Sequence, residues 1–464
     1  MRVTSLCSMI GGVILVISPA TAVVAAMAED DAVVVAEEST TMVVPTQTAV
    51  PAQTTAPTQV AVPTQVAVPT QTASSTAVGQ WGTQIAPVAR YDNGMRFSGY
   101  FNAGGLFNTH GAEYNMLSIN SDHDLGVDGL YASVTKAARN GCGVIDAGFG
   151  VDAMFGRDAR FLSGYTGFDS NMETGHRSAD INGYNKFGLD YNNESYGFAF
   201  PQLYGEMSIN YLTMKVGHFY TPLGYESSRA DERFFYSFGR NADVLPVSHT
   251  GALATYKGIT GMELSAGWVM GENNTFKRDF DESLAIGSVK FKDGDRMSLK
   301  YSILKGDGMV QGLAGDLFRN DVVLETKLDS RWDSALVFNY GRFDSKDGGV
   351  ANTFTGDITT IMAIAGMNEI RYETLAGYLF YKLSTNWKTG LRLEWQRGWN
   401  GDESMELIDL GVGANWSPDG GENFLIRPEV RYDRAVAPTP FFGNQDNGPE
   451  KDQLTLGFDV LYKI

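Results

Sequence analysis

A period of two runs through the chain from Met95 to Ile464. Leu391, Leu393 and Trp395 alternate with Arg392, Glu394 and Gln396, and Ile426, Val430 and Tyr432 alternate with Arg427, Glu429, Arg431 and Asp433. Successive side chains of a strand point to opposite faces, so each segment has one apolar and one charged face. In the terminal segment Leu454, Leu456, Phe458, Val460, Tyr462 and Ile464 share a face, Thr455, Gly457, Asp459 and Lys463 share the other, and only Leu461 breaks the pattern. Helical periodicity is almost absent, and after the N-terminus no apolar run is long enough for a transmembrane helix. A chain of this kind that spans a membrane must close into a barrel, because lipid offers no partner to a backbone N–H or C=O.

The alternation predicts about sixteen strands, among them 95–106, 201–209, 212–218, 296–304, 320–328 and 453–464. Long connections at 108–126, 156–200, 219–249, 344–369 and 435–452 alternate with short ones, with hardly an exception. Long loops at one end, short turns at the other and an even strand count are features of bacterial outer-membrane barrels. Sixteen strands leave room for an aqueous channel. The expected fold is all-β: a closed antiparallel transmembrane β-barrel over residues 90–464. A β-sandwich shows the same alternation, but the export signal, the loop pattern and the terminal strand together favour the barrel. Charged faces then line the lumen, with Lys215, Arg392, Glu394, Arg427 and Arg431 as candidate pore wall. Aromatics near strand ends, such as Trp268, Trp332, Trp387 and Trp416, suit the two membrane interfaces.

Two further regions precede the barrel. Residues 1–28 read as a secretory signal, with Arg2, an apolar core and small residues at two candidate cleavage sites. Residues 29–89 start acidic and then repeat Pro45, Pro51, Pro57, Pro63 and Pro69 every six residues. This Pro/Thr/Gln-rich leader has few large side chains to bury and is expected to be disordered, as a periplasmic spacer or as a leader without a partner.

One stretch departs from alternation. Lys215–Glu226, KVGHFYTPLGYE, begins as a strand and breaks at Pro222 and Gly224. A long segment follows with Phe234, Phe235, Tyr236 and Phe238 among charges of both signs. Water gives such a cluster no reason to be exposed. The loop is therefore expected to fold into the lumen, its aromatics against the wall and its charges facing the passage. Glu226, Arg229, Asp231, Glu232, Arg233 and Arg240 are the candidate pore constriction. The segments Gly217–Glu226, Phe234–Tyr236, His249–Gly251, Ala376–Leu383 and Gly390–Trp399 resemble the OmpL-like β-barrel porins of the bacterial outer membrane. The resemblance implies the same barrel, location and class of activity.

Enzymatic chemistry has little support. The five histidines are scattered, and none has a metal-ligand spacing. His123 between two aspartates and His249 after Ser248 are the best catalytic candidates, and a solvated loop histidine accounts for either. No cofactor and no metal site are expected. The formal net charge of −18 argues against nucleic-acid partners and predicts a modest cation preference. The expected function is passive diffusion of small hydrophilic solutes and ions across the bacterial outer membrane. The competing reading is a non-catalytic surface or structural barrel with loops for adhesion or envelope tethering. Outer-membrane lipid is the implied surround, and the reading leaves room for a homo-oligomer and for cell-wall contact through the leader.

Overall fold

The computed structural model describes residues 89–90, 94–109, 125–139, 141–162, 196–274, 276, 282–310, 313–346, 369–400, 403–418, 420, 423–436, 442–444 and 448–464. The export signal expected at 1–28 lies outside them, as does all of the 29–89 leader except Ala89.

Sixteen long strands form one antiparallel sheet. The first are β1 Met95–Asn108, β2 Gly126–Lys136, β3 Gly141–Gly156 and β4 Gly197–Asn210. Next come β5 Leu212–Tyr220, β6 Ser248–Ile259, β7 Met262–Val269 and β8 Ser283–Asp293. Then β9 Met297–Val310, β10 Leu313–Lys327, β11 Trp332–Ser345 and β12 Glu369–Lys382. The last are β13 Trp387–Asn400, β14 Glu403–Trp416, β15 Phe424–Ala435 and β16 Asp452–Lys463. Each strand pairs with its sequence neighbours, and β16 returns to β1, with Thr455 opposite Asn108 and Lys463 opposite Tyr100. Closure removes the two edges that an open sheet would leave unpaired in lipid. The expected closed antiparallel barrel of sixteen strands is the fold found.

The two faces follow the alternation. On β13, Leu391 and Leu393 are 40% and 53% exposed, while Arg392 between them is wholly buried. Trp387 and Trp416 are register partners, and Trp332 packs on Tyr381, so aromatics of β11–β14 cluster at the short-turn end.

Two expectations change, and one exception finds its reason. Two connections at the long-loop end are short, because only residues 311–312 separate β9 from β10 and only 401–402 separate β13 from β14. The strands there run further than the membrane-height pattern suggested, since ladder pairing continues from Met297↔Thr326 to Val310↔Leu313. Second, Pro201 lies inside β4, where the β3 register shifts between Asp152 and Met154. A proline without an N–H is tolerated at such a bulge. Third, Leu461, the one apolar residue at an inner position of the terminal strand, has its explanation in the lumen. It is fully buried in an apolar cluster with Tyr100, Tyr131 and Ala230, so part of the lumen is itself apolar.

The faces also decide where charge is tolerated. Asp459, at an inner position, accepts Arg427 Nε at 2.9 Å and Asn102 Nδ2 at 2.9 Å and is fully buried, so a substitution there breaks an ion pair. This rules out Asp459 as a permissive inner control, which alternation alone would suggest. The half-buried Thr213 of β5 serves better, because its substitution gives up one hydroxyl contact with Ser208 at 2.5 Å and no ion pair. Phe458→Arg is expected to cost about 2–4 kcal/mol if it lies near the bilayer midplane, and Thr213→Arg less than about 1 kcal/mol. Denaturant unfolding of the lipid-inserted barrel measures both, and equal costs would reject the assigned faces.

Candidate functional site

The segment between β5 and β6, residues 221–247, crosses from one side of the wall to the other. Gly224 has φ +85°, a conformation that glycine adopts without strain, at the bend where the chain leaves β5. Lys300, four strands away on β9, donates to Pro222 O at 2.6 Å and Gly224 O at 2.7 Å. Glu226 then meets Arg392 of β13 at 3.2 Å. A short 3-10 turn, Ala230–Glu232, follows, and Arg427 of β15 donates to Ala230 O at 2.7 Å and Arg233 O at 2.8 Å. Tyr236 Oη donates to Asp128 of β2 at 2.9 Å.

The return path is held in the same way. Ser237 donates from N and Oγ to Glu429 at 2.8 and 2.6 Å, and Arg431 donates to Phe238 O at 2.5 Å. The four-residue helix Arg240–Asp243 begins with two free N–H groups, and Glu394 accepts both, from Arg240 N at 2.8 Å and Asn241 N at 3.2 Å. Asn339 of β11 donates to Asn241 O at 3.2 Å. Arg319 of β10 and Tyr372 of β12 both donate to Val244 O, at 2.7 and 3.1 Å. The loop thus meets inner-face residues of β9–β13, β15 and β2.

Aromatic packing fills the space between these bonds. Phe234 and Phe235 are buried against Phe380 of β12. Their seats are glycines at inner positions: a methyl group on Gly390 would overlap the Phe234 ring, and one on Gly413 would stand 3.1 Å from Phe235. Burying each ring stabilises the loop by about 1.5–3 kcal/mol.

Four of the five expected wall residues meet the loop: Arg392, Glu394, Arg427 and Arg431. Lys215 does not reach the loop's charges. Its ammonium stands 3.9 Å from the centre of the Tyr204 ring on the neighbouring β4. Of the six expected constriction residues, Asp231, Arg233 and Arg240 are buried, and Glu226, Arg229 and Glu232 keep partial exposure. Arg229 binds Asp231 at 2.8 Å and Glu232 at 3.4 Å within the loop and lies over the Tyr131 ring. Arg233 stacks on Phe238 and approaches Asp158 at 3.9 Å, and Arg240 pairs with Asp433 at 3.0 Å. All six charges are thus paired, and Arg229 is only 12% exposed. The physical reason is that a charge removed from water needs a partner, and the wall supplies it directly.

Burial pushes the Glu226 carboxyl above its ordinary range, with Arg392 opposing. Burial would also raise Asp231, but the bidentate Arg229 holds it below its ordinary range. Sequence reasoning missed Asp128, Asp158 and Asp409 as partners, and Gly390 and Gly413 as seats. Glycines recurring at inner positions opposite an aromatic loop were the available signal. The histidine candidates carry no catalytic arrangement in the described residues. His249 is buried between Thr221 and Gly271 O, and His123 lies outside the described residues.

Arg392 is the centre of this network, with Glu226, Glu394, Asp409 and Glu429 all within 3.4 Å. Removing one partner from a buried ion-pair network costs about 3–5 kcal/mol. Arg392→Gln is expected to destabilise the folded barrel by that amount. Arg397→Gln, at a 43% exposed pair with Glu406, is expected to cost less than about 1 kcal/mol. Denaturant unfolding in one detergent compares them, and similar costs would mean that the Arg392 network is not structural.

Residues 94–464 match the family model described as "Putative beta-barrel porin-2, OmpL-like". No curated protein matches the chain significantly. Among solved structures, the fold is similar to the outer membrane channel DcaP of Acinetobacter baumannii, with 10% identity and TM-score 0.51 over 81% of this chain and 99% of that one. It also resembles the anion-selective porin from Comamonas acidovorans, with 12% identity and TM-score 0.49 over 80% and 99% of the two chains. At such identities the likeness concerns the fold alone. The family match covers the whole barrel, and the chain therefore belongs to the OmpL-like β-barrel porin family of the bacterial outer membrane.

Proposed function

We propose that this porin passes small hydrophilic solutes and ions by passive diffusion, through a lumen that the inward-folded 221–247 loop narrows to one side. The reading rests on the unequal burial of the inner face. On β13 and β15 the inner charges Arg392, Glu394, Arg427, Glu429 and Arg431 are buried beneath the loop. On β4–β8 the inner residues Tyr204, Glu206, Thr213, Lys215, Ser265 and Ser288 keep partial exposure. A water path along β4–β8 accounts for the difference. Glu226, Arg229, Asp231, Glu232, Arg233 and Arg240 then brace the constriction from within the loop instead of lining it. Transport of this kind breaks no bond and calls for no catalytic residue. The chain would be exported by residues 1–28 and carry residues 29–89 as a spacer ahead of the 90–464 barrel.

A plugged surface or structural barrel is the second reading. Leu223, Val244 and Leu245 of the loop pack with Val269, Leu304, Leu317, Phe343 and Tyr372 in an apolar core inside the wall, which favours it. Single-channel recording in planar bilayers separates the two. Deleting residues 227–242 is expected to raise a measurable wild-type conductance severalfold, whereas deleting residues 44–73 of the leader is expected to leave it unchanged. Unchanged conductance in a folded 227–242 deletion would place the constriction elsewhere. A silent wild type that opens only on deletion would support the plug.

A further inference from the structure

The short-turn end of the inner face carries an excess of lysines. Lys215, Lys257, Lys290, Lys292, Lys327 and Lys382 all occupy inner-parity positions near the short-turn ends of β5, β6, β8, β10 and β12. Each keeps partial or full exposure, in contrast to the buried, paired arginines under the loop.

The acids on the same face are largely engaged. Glu263 is held by Lys257 at 3.1 Å, and Asp333 by Lys388 at 3.6 Å. Glu206, the cross-strand neighbour of Lys215, accepts the Ala138 N–H at 2.7 Å and keeps its charge, which offsets that of Lys215. Asp146 is held by both Arg139 at 3.1 Å and Lys136 at 3.8 Å, and the buried Glu325 stands among Lys290, Lys292 and Lys300, three ammonium groups to one carboxylate. Among the described residues, Lys215, Lys290 and Lys292 have no carboxylate within 4.0 Å. Lys290 faces Lys300 across the β8–β9 ladder, and Lys300 is already bound to the loop's carbonyls and to Asp321 at 3.8 Å. The surplus charge at this end of the lumen is therefore positive.

We infer that the lumen below the loop is an anion-accepting vestibule, and that the solutes favoured are small anions bearing carboxylate or phosphate groups. This rests on the porin reading above. The chain's formal charge of −18 does not contradict it. Ion pairs inside the wall cancel one acid against one base and leave that surplus to be found elsewhere, and five of the surplus acids, Glu29, Asp30, Asp31, Glu37 and Glu38, precede the barrel. Others, such as Asp307, Asp316 and Asp344, lie at the long-loop rim, away from the vestibule. The modest cation preference expected from the whole-chain charge gives way to the sign of the charges that line the water path. Unpaired ammonium groups in a concave, partly desolvated site attract anions more strongly than isolated surface lysines.

The test is the reversal potential of the full-length protein in a planar bilayer under a potassium chloride gradient at low salt. The expected wild-type result is an anion preference of about fivefold, the effect on the anion-to-cation ratio of one net unit charge roughly 8 Å from the path in water. Lys290→Glu/Lys292→Glu is expected to abolish or reverse it, and the milder Lys290→Gln/Lys292→Gln to reduce it. A conducting wild type that prefers cations overturns the inference and leaves the porin reading intact. So does an anion preference that neither pair of substitutions alters. A folded, inserted barrel with no conductance overturns the porin reading and this inference together.

Discussion

The interior depends on buried guanidinium groups that bind the wall and the loop at once. Arg427 joins Asp459 of β16 to two loop carbonyls, and Arg431 joins Asp433 to Phe238 O. Arg392 joins the loop's Glu226 and Ser237 to three wall carboxylates. The planar guanidinium presents five donors and keeps its charge, so it can serve several acceptors in a place from which water is largely excluded. A lysine in the same position could not bridge as many groups in fixed geometry.

This arrangement makes the loop part of the barrel's interior packing. Its peptide groups find partners on β9–β13 and β15, its aromatics find glycine seats, and its aliphatic residues join an apolar core. A loop in water would leave the Phe234 and Phe235 rings exposed and gain none of these contacts. The loop leaves Tyr204, Glu206, Thr213, Lys215, Ser265 and Ser288 partly exposed on the inner face of β4–β8. The loop's Glu226 and Arg240 are ion-paired with the wall residues Arg392 and Asp433.

Much of the fold was legible because the side-chain period of a strand is independent of context. The alternation identified the inner positions of β13 and β15 correctly, including Arg392, Arg427 and Arg431. It placed Leu461 on the inner face as an exception without a reason, and the reason is that a lumen that holds a packed loop needs some apolar wall. It could not see that β9–β10 and β13–β14 close through short connections, since strand length above the membrane leaves no hydropathy signal. The site was legible in part. Lys215 shares its face with the wall arginines, yet β5 sits at the root of the loop, and the loop turns away from it. Direction of pairing is a three-dimensional fact. The expected opposition of charges across a gap became direct contact, because opposite charges of loop and wall gain most when no water separates them.

Hydrogen exchange of the loop amides, in the wild-type barrel inserted in lipid, tests the central claim most directly. Ser237 N, Gly239 N, Arg240 N and Asn241 N all donate to buried carboxylates. Their protection is expected to approach that of the neighbouring strands, about a thousandfold or more slower than an unstructured peptide. Exchange at the rate of an exposed surface loop would contradict the anchored interior on which the account rests.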